Sequence, residues 1–154
     1  MVDFRVLLVD DFEPWRRFVS NTLQKQRGFQ IVLEVSDGLQ AVQKAAELYP
    51  DLILLDEPFS GLDVGSVLVM RSVIQELAAR GKIVLFSSHE LEAVERVSSR
   101  VIILHRGKVV ANDSVERLRT LMALSTLEDI FSELAVEQDT TAVSREIADL
   151  IRST

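Results

Sequence analysis

The sequence predicts a three-layer α/β domain built on a doubly wound parallel sheet. Three observations carry that expectation. Short apolar runs, RVLLV (5–9) and LILL (52–55) among them, read as strands buried on both faces. Between such runs, apolar residues recur at the three- and four-residue spacing of amphipathic helices. The two patterns alternate along the chain, which is the order that sets parallel strands side by side with helices over both faces.

RVLLV, the first strand, runs into Asp10-Asp11. Pro14 suits the first turn of a helix. Trp15, Phe18, Val19, Thr22 and Leu23 follow at helical spacing, and Gly28 closes that helix. FQIVLEV (29–35) is the second strand. Leu39, Val42, Ala45, Ala46 and Leu48 mark the second helix, stopped near Pro50. DLILLD (51–56) is the third strand, and Val64, Val67, Leu68, Arg71, Ile74, Leu77 and Ala78 trace a third helix ending at Gly81. KIVLFS (82–87) is the fourth strand, 90–98 a short helix and RVIILH (100–105) the fifth strand.

The pattern then changes. HRGKVVA (105–111) turns tightly through Gly107 into a short antiparallel strand. Asp113-x-x-Glu116 reads as a capping box for a helix through Leu118, Leu121 and Met122. Ser125-x-x-Glu128 opens another, with Leu127, Ile130, Phe131 and Leu134 on one face. EQDTT (137–141) reads as a flexible joint, and Val143, Ile147, Leu150 and Ile151 mark a last helix. These C-terminal stripes read as core first. The chain is expected to be mostly monomeric, with these helices as the place where a dimer would form if one does.

A chain of 154 residues suffices for one domain, 1–154, with a proper core. Hydrophobic residues make up 47% and charged residues 27%, the balance of an ordinary globular chain. Net charge is -7, and residues 113–154 hold nine acids against four bases. That balance repels nucleic acid and anionic membranes, and no basic run interleaved with aromatics argues otherwise. Without cysteine there is no disulfide, thiolate zinc site or Cys nucleophile. MVDFRVLLVDD is neither a signal peptide nor a membrane span, so the expected location is cytoplasmic.

Two strand ends are acidic: Asp10-Asp11 after the first strand and Asp56-Glu57 after the third. Ligands of parallel α/β sheets bind beyond the carboxyl ends of the strands. If strands one and three are neighbours, these carboxylates converge, and unpaired carboxylates that close raise one another's pKa or recruit a cation. An all-oxygen set with room for water suits Mg²⁺, held by Asp10, Asp11 and Asp56. The plainer alternative has Asp11 capping the following helix and Glu57 pointing to solvent.

VLLVDD, the helix from Pro14, VSDGLQAVQKA and PDLILLD resemble, in order and spacing, the opening half of a response-regulator receiver domain. The resemblance covers residues 1–56. It implies a flavodoxin-like fold, Mg²⁺ on Asp10 and Asp11, and a phosphoryl group accepted by Asp56 from a histidine kinase. It also implies a Ser or Thr ending strand four, for which Ser87 and Ser88 are candidates, and a Lys ending strand five. The latter position falls near His105 or Arg106, and Lys108 comes two or three residues late.

From residue 51 a second family fits. LILLDEPFSGLD resembles the Walker B strand and D-loop of ABC-transporter ATP-binding subunits. IVLFSSHELEAVERVSSRVIILHRGKVVA resembles their switch-histidine strand, helix and hairpin, and LEDIFSELA their C-terminal helix. That resemblance, over 51–136, implies that Asp56 holds Mg²⁺ through water, Glu57 polarises an attacking water and His89 senses a γ-phosphate. Hydrolysis also needs a Gly-rich loop with GKS or GKT to cradle the phosphates. Gly81-Lys82 is followed by Ile83 and Gly107-Lys108 by Val109, and the LSGGQ signature is missing too. Glu57 and His89 are therefore expected to be vestigial, no nucleotide is expected to bind, and His89 and His105 read as locally bonded helix-start and sheet-end residues.

The chain thus looks like a receiver front joined inside strand three to an ABC ATPase back: 1–56, 51–112, and a helical extension over 113–154. A joint in a strand that both families share favours a constructed chimera. The expected sheet order is 2-1-3-4-5, with strand five closing up against strand four and the hairpin strand at that edge. The function expected first is a non-catalytic α/β scaffold keeping an acidic Mg²⁺ pocket. The alternative is a phosphoacceptor signalling module using Asp56. A nucleotide hydrolase comes third, since the phosphate loop is missing.

Overall fold

The computed structural model describes residues 4–135. The expected joint at 137–141 and the last helix through Val143, Ile147, Leu150 and Ile151 lie outside the described residues. The sequence reads as one domain, whereas the structure divides into two compact units, one ending at Ala93 and one beginning at Val94.

The first unit holds β1 (Phe4–Val9), α1 (Glu13–Gln24), β2 (Phe29–Val35), α2 (Gly38–Leu48), β3 (Leu52–Asp56), α3 (Val64–Ala79) and β4 (Ile83–Ser87). Its four strands form a parallel sheet in the order β2-β1-β3-β4. β1 is central, and Val6, Leu7, Leu8 and Val9 are all buried, as a strand covered on both faces requires. Ile53 and Leu55 of β3 join that core. α1 and α2 pack on β1 and β2, and α3 packs on β4. At the amino ends of the strands, Asp51 stitches three segments. Its carboxylate accepts from Arg5 N (2.9 Å), its N–H donates to Arg5 O (2.8 Å) and its carbonyl accepts from Ile83 N (3.0 Å).

Helix ends follow local chemistry. Asp37 caps α2 by accepting from Gln40 N, and Tyr49 closes it in the left-handed region at φ 49°. Asp63 caps α3, accepting from Ser66 N (3.1 Å) and from the Ser66 hydroxyl (2.6 Å). α1 has Phe12 at its N-cap and no side-chain cap, so Asp11 does not serve there. The face of α1 turned inward carries Ser20, with Trp15, Arg16, Val19 and Leu23 half-buried, while Phe18 is 70% exposed.

α4 (Leu91–Val97) carries the boundary between the units. The second unit continues with β5 (Val101–His105), β6 (Lys108–Asp113), α5 (Val115–Met122) and α6 (Leu127–Ala135). β5 does not extend the parallel sheet in the expected order 2-1-3-4-5. Among the described residues it pairs antiparallel with β6 alone, from Val101↔Asp113 to His105↔Lys108. The hairpin itself is as expected: Arg106 and Gly107, at φ 49° and 74°, make the two-residue turn between β5 and β6.

Both helix caps sit one residue beyond the expected capping boxes, and neither closes a reciprocal box. Ser114 caps α5 by accepting from Arg117 N (3.2 Å), while Asp113 ends β6 and pairs with Arg117 (3.2 Å). At α6, Thr126 Oγ1 accepts from Asp129 N (3.1 Å) and donates to Asp129 Oδ2 (2.7 Å). Leu127 and Ile130 are buried, with Phe131 and Leu134 half-buried beside them. Among the described residues no helix is long and apolar enough to cross a membrane.

Candidate functional site

The site lies at the carboxyl ends of β1, β3 and β4. Val9 pairs with Leu55 across the β1–β3 ladder, so the next residues, Asp10 and Asp56, leave the sheet side by side. Asp10 continues the strand for one bond, its N–H donating to Val35 O (3.2 Å). Its side chain then turns the chain: Oδ1 accepts from Phe12 N (2.7 Å). Arg16, one turn into α1, donates from Nη1 to the Asp10 carbonyl (2.6 Å).

Burial holds the Asp10 carboxyl above its ordinary value of 3.8, and the nearby charges of Asp56 and Asp11 push the same way. The Phe12 N–H opposes that shift, as does the Arg16 charge. Asp11 itself is exposed.

On the other side, Asp56 pairs with Ser87 in the β3–β4 register. The Ser87 hydroxyl donates to Asp56 Oδ1. Glu57 N–H donates to Ser87 O (3.1 Å) and approaches Ser87 Oγ at 3.3 Å. This holds Glu57 at φ 43°, a left-handed conformation that costs a side-chain-bearing residue on the order of 1 kcal/mol. Phe59, 1% exposed, anchors the turn that follows and meets Phe86 edge-on, ring centres 5.6 Å apart.

Glu57 does not simply point to solvent. Its Oε2 accepts from His89 Nδ1 (2.9 Å) and lies 3.4 Å from His89 N. His89 is therefore bonded across the strand ends rather than locally, and Glu57 raises its pKa above the ordinary 6.5. Ser88 is occupied elsewhere: its hydroxyl accepts from Glu90 N (3.1 Å) at the approach to α4. Of the two serine candidates, Ser87 is thus the one brought to Asp56. His105 ends β5, in the hairpin of the second unit.

That Asp10 and Asp56 leave neighbouring strand ends was legible in the sequence, and the receiver resemblance offered Ser87 or Ser88 beside them. Phe59 and Arg16 were not legible. Phe59 stands in a Pro-Phe-Ser-Gly turn, where one buried aromatic among turn residues is the available signal.

Oxygen donors from two neighbouring strand ends, one of them raised in pKa by burial first and by its neighbours' charges second, suit a hard cation such as Mg²⁺. Among the described residues no three His, Cys, Asp or Glu side chains come together closely enough to hold a metal ion by themselves. A cation here would keep several waters, as Mg²⁺ commonly does. A separate open groove of about 920 Å³ runs between α2 and α3, lined by Ala45, Tyr49, Val69, Val73, Arg80 and Lys82 among others. Tyr49 and Lys82 precede β3 and β4, so the groove lies at the opposite end of the strands from Asp56.

Known proteins of two kinds match this chain. An ABC transporter ATP-binding protein of Methanocaldococcus jannaschii is 38% identical over 107 residues, 67% of this chain but 41% of that protein. The chain therefore spans less than half the length of that relative. The structure of an ATP-binding subunit of an ABC transporter superposes with TM-score 0.56 at 28% identity, over 80% of this chain and 52% of that one. The signal receiver domain of the response regulator NarL from Mycobacterium tuberculosis superposes with TM-score 0.51 at 24% identity, over 63% of this chain and 77% of that one, a likeness of fold. The family model of the response regulator receiver domain matches residues 6–100. That match runs past Asp56 through β4 and α4, beyond the 1–56 half in which the resemblance was legible. The chain belongs to the response regulator receiver domain family, in a hybrid form that also carries a segment of the ABC ATP-binding kind.

Proposed function

We propose that this chain is a receiver-type phosphoacceptor module, with Asp56 as the acceptor, Asp10 and Asp11 as the holders of Mg²⁺, and Ser87 as a hydroxyl donor to the phosphoryl oxygens. One observation carries the reading: the Ser87 hydroxyl bonds Asp56 Oδ1 while Asp10 leaves the neighbouring strand at the same level. Family membership supports it over a scaffold without chemistry, for which nothing in the site speaks.

An Asp56 carboxylate oxygen attacks the phosphorus of a phosphohistidine on a partner histidine kinase. A P–O bond forms as the P–N bond breaks. The electron pair stays on the departing imidazole nitrogen, which takes a proton from water. Mg²⁺ at Asp10 and Asp11 would neutralise charge on the phosphoryl oxygens. Ser87 turns its hydroxyl from Asp56 to the new phosphoryl group.

Nucleotide hydrolysis is the weaker reading. Glu57 and His89 sit together as the ABC resemblance implies, but the 154 residues contain no GKS or GKT loop. An ATP titration that gives neither heat nor phosphate release keeps it aside.

The test is Mg²⁺ with acetyl phosphate or beryllofluoride, followed by amide NMR. The expected result is a shift of Asp56, Asp10 and Ser87 resonances that is absent in Asp56→Asn. No response, or the same response in Asp56→Asn, refutes the proposal.

A further inference from the structure

Among the described residues of the first unit, the strand ends at this pocket are rich in negative charge. Asp10, Asp11, Asp56 and Glu57 all stand at its mouth, and a phosphoryl group adds about -1.5 to -2 more. Anionic phosphoryl oxygens call for charge-assisted donors. Arg16 is committed to the Asp10 carbonyl, with Glu34 4.0 Å from its Nε. The strand-five position that the receiver resemblance would fill with lysine falls at His105 or Arg106, at the end of the second unit's hairpin strand.

The first unit offers His89 instead. It follows Ser87 by two residues, at the same strand ends as Asp56. Three contacts fasten these residues to one another: the Ser87 hydroxyl to Asp56 Oδ1, Glu57 N–H to Ser87 O, and Glu57 Oε2 to His89 Nδ1. The imidazole is 74% exposed, and Nδ1 is the nitrogen turned to Glu57, so Nε2 is the one available to a ligand. Glu57 and Glu90 are the charged groups that act on it. An exposed ion pair is weakly held. Nε2 can donate to a phosphoryl oxygen while Nδ1 stays with Glu57.

We infer that His89, oriented by Glu57, is the phosphoryl-binding cation of this pocket, in place of a strand-five lysine. The inference rests on the phosphoacceptor reading and deepens it: the second-family histidine is not idle but completes a first-family site. Glu57, which otherwise repels a phosphoryl group on its neighbour, becomes the residue that positions its counter-charge.

The test is beryllofluoride binding by the full chain in saturating Mg²⁺, comparing the parent with His89→Gln, His89→Arg and Asp56→Asn. Circular dichroism and thermal midpoints check that each variant folds. His89→Gln should weaken binding about tenfold, and His89→Arg should restore it to within about threefold of the parent, because one charge-assisted bond is lost and regained. If His89→Gln binds as the parent does, the inference fails and the phosphoacceptor reading stands. If His89→Arg is as weak as His89→Gln, charge is not what His89 supplies, and the inference fails again. If the parent does not bind, or Asp56→Asn binds equally, the phosphoacceptor reading falls and takes the inference with it.

Discussion

His89 Nδ1 lies 2.9 Å from Glu57 Oε2, joining a residue just after β3 to one just after β4. The contact makes a titration prediction. Hydrogen bonding to Glu57 first, and its charge second, hold the His89 pKa above 6.5. Any stability the pair contributes is fully present below pH 6.5 and is lost as pH rises through the higher folded value. Proton NMR of the imidazole should show a midpoint above 6.5 in the parent, returning toward 6.5 in Glu57→Gln. A parent midpoint at or below that of Glu57→Gln contradicts the pairing.

Asp10 titrates in the opposite sense to a salt-bridged carboxylate. Burial, with the Asp56 and Asp11 charges behind it, keeps its pKa above 3.8. Between 3.8 and that raised value the folded chain binds more protons than the unfolded one, so stability falls as pH rises through the window. Asp10→Asn removes the charge and keeps Oδ1 for the Phe12 N–H. It should be more stable than the parent at pH 7 by up to about 1 kcal/mol, a modest figure for a partly exposed group. Below pH 3.8 the two should converge. Urea unfolding at pH 7 and pH 3.5 measures both, and Mg²⁺ should stabilise the parent more than the variant.

Much of this was open to sequence reasoning because strand-length apolar runs and doubled acids are local signals. The neighbouring of β1 and β3, which brings Asp10 to Asp56, followed from the receiver resemblance and holds in the sheet. The rest needed three dimensions. Ser87 and Ser88 are adjacent and chemically equal, and only the register Asp56↔Ser87 separates them. Asp113-Ser114 and Ser125-Thr126 each offer two neighbouring caps, and the structure uses the second of each pair. β5 looked like a fifth parallel strand because its composition suits one. The hairpin through Gly107 was legible and is present, but composition does not say whether the other edge of β5 finds a partner, and among the described residues it pairs with β6 alone.

In the second unit, Glu95 ties two helices together. Its carboxylate pairs with Arg119 of α5, and Oε2 accepts from Leu127 N (3.3 Å) at the start of α6. The Glu95 side chain is only 16% exposed, so removing the guanidinium leaves a poorly solvated charge. Arg119→Met should cost about 1–3 kcal/mol. Adding Glu95→Gln to that variant should recover part of the loss, since the orphaned charge goes with it. A double-mutant cycle in urea measures the coupling, and strict additivity of the two changes would dismiss it.

Phe59 is the residue through which the core holds the site. It is 1% exposed, and its edge-on contact with Phe86 fastens the turn after Glu57 to β4. Ser60 N donates to Glu57 O (3.0 Å), which closes that turn. Phe59→Ala should cost about 3–5 kcal/mol, and Phe59→Leu about 1 kcal/mol. The leucine variant is the informative one, because it stays folded while losing the edge-on ring contact. Glu57 keeps its left-handed conformation only while its N–H is held at Ser87 and its carbonyl at Ser60. A looser turn therefore relaxes Glu57 and moves His89 away from Asp56. Beryllofluoride binding should weaken in Phe59→Leu by a larger factor than its thermal midpoint suggests, and the His89 midpoint should drift toward 6.5. If the variant loses stability but keeps both readouts, the turn is held by its backbone bonds alone.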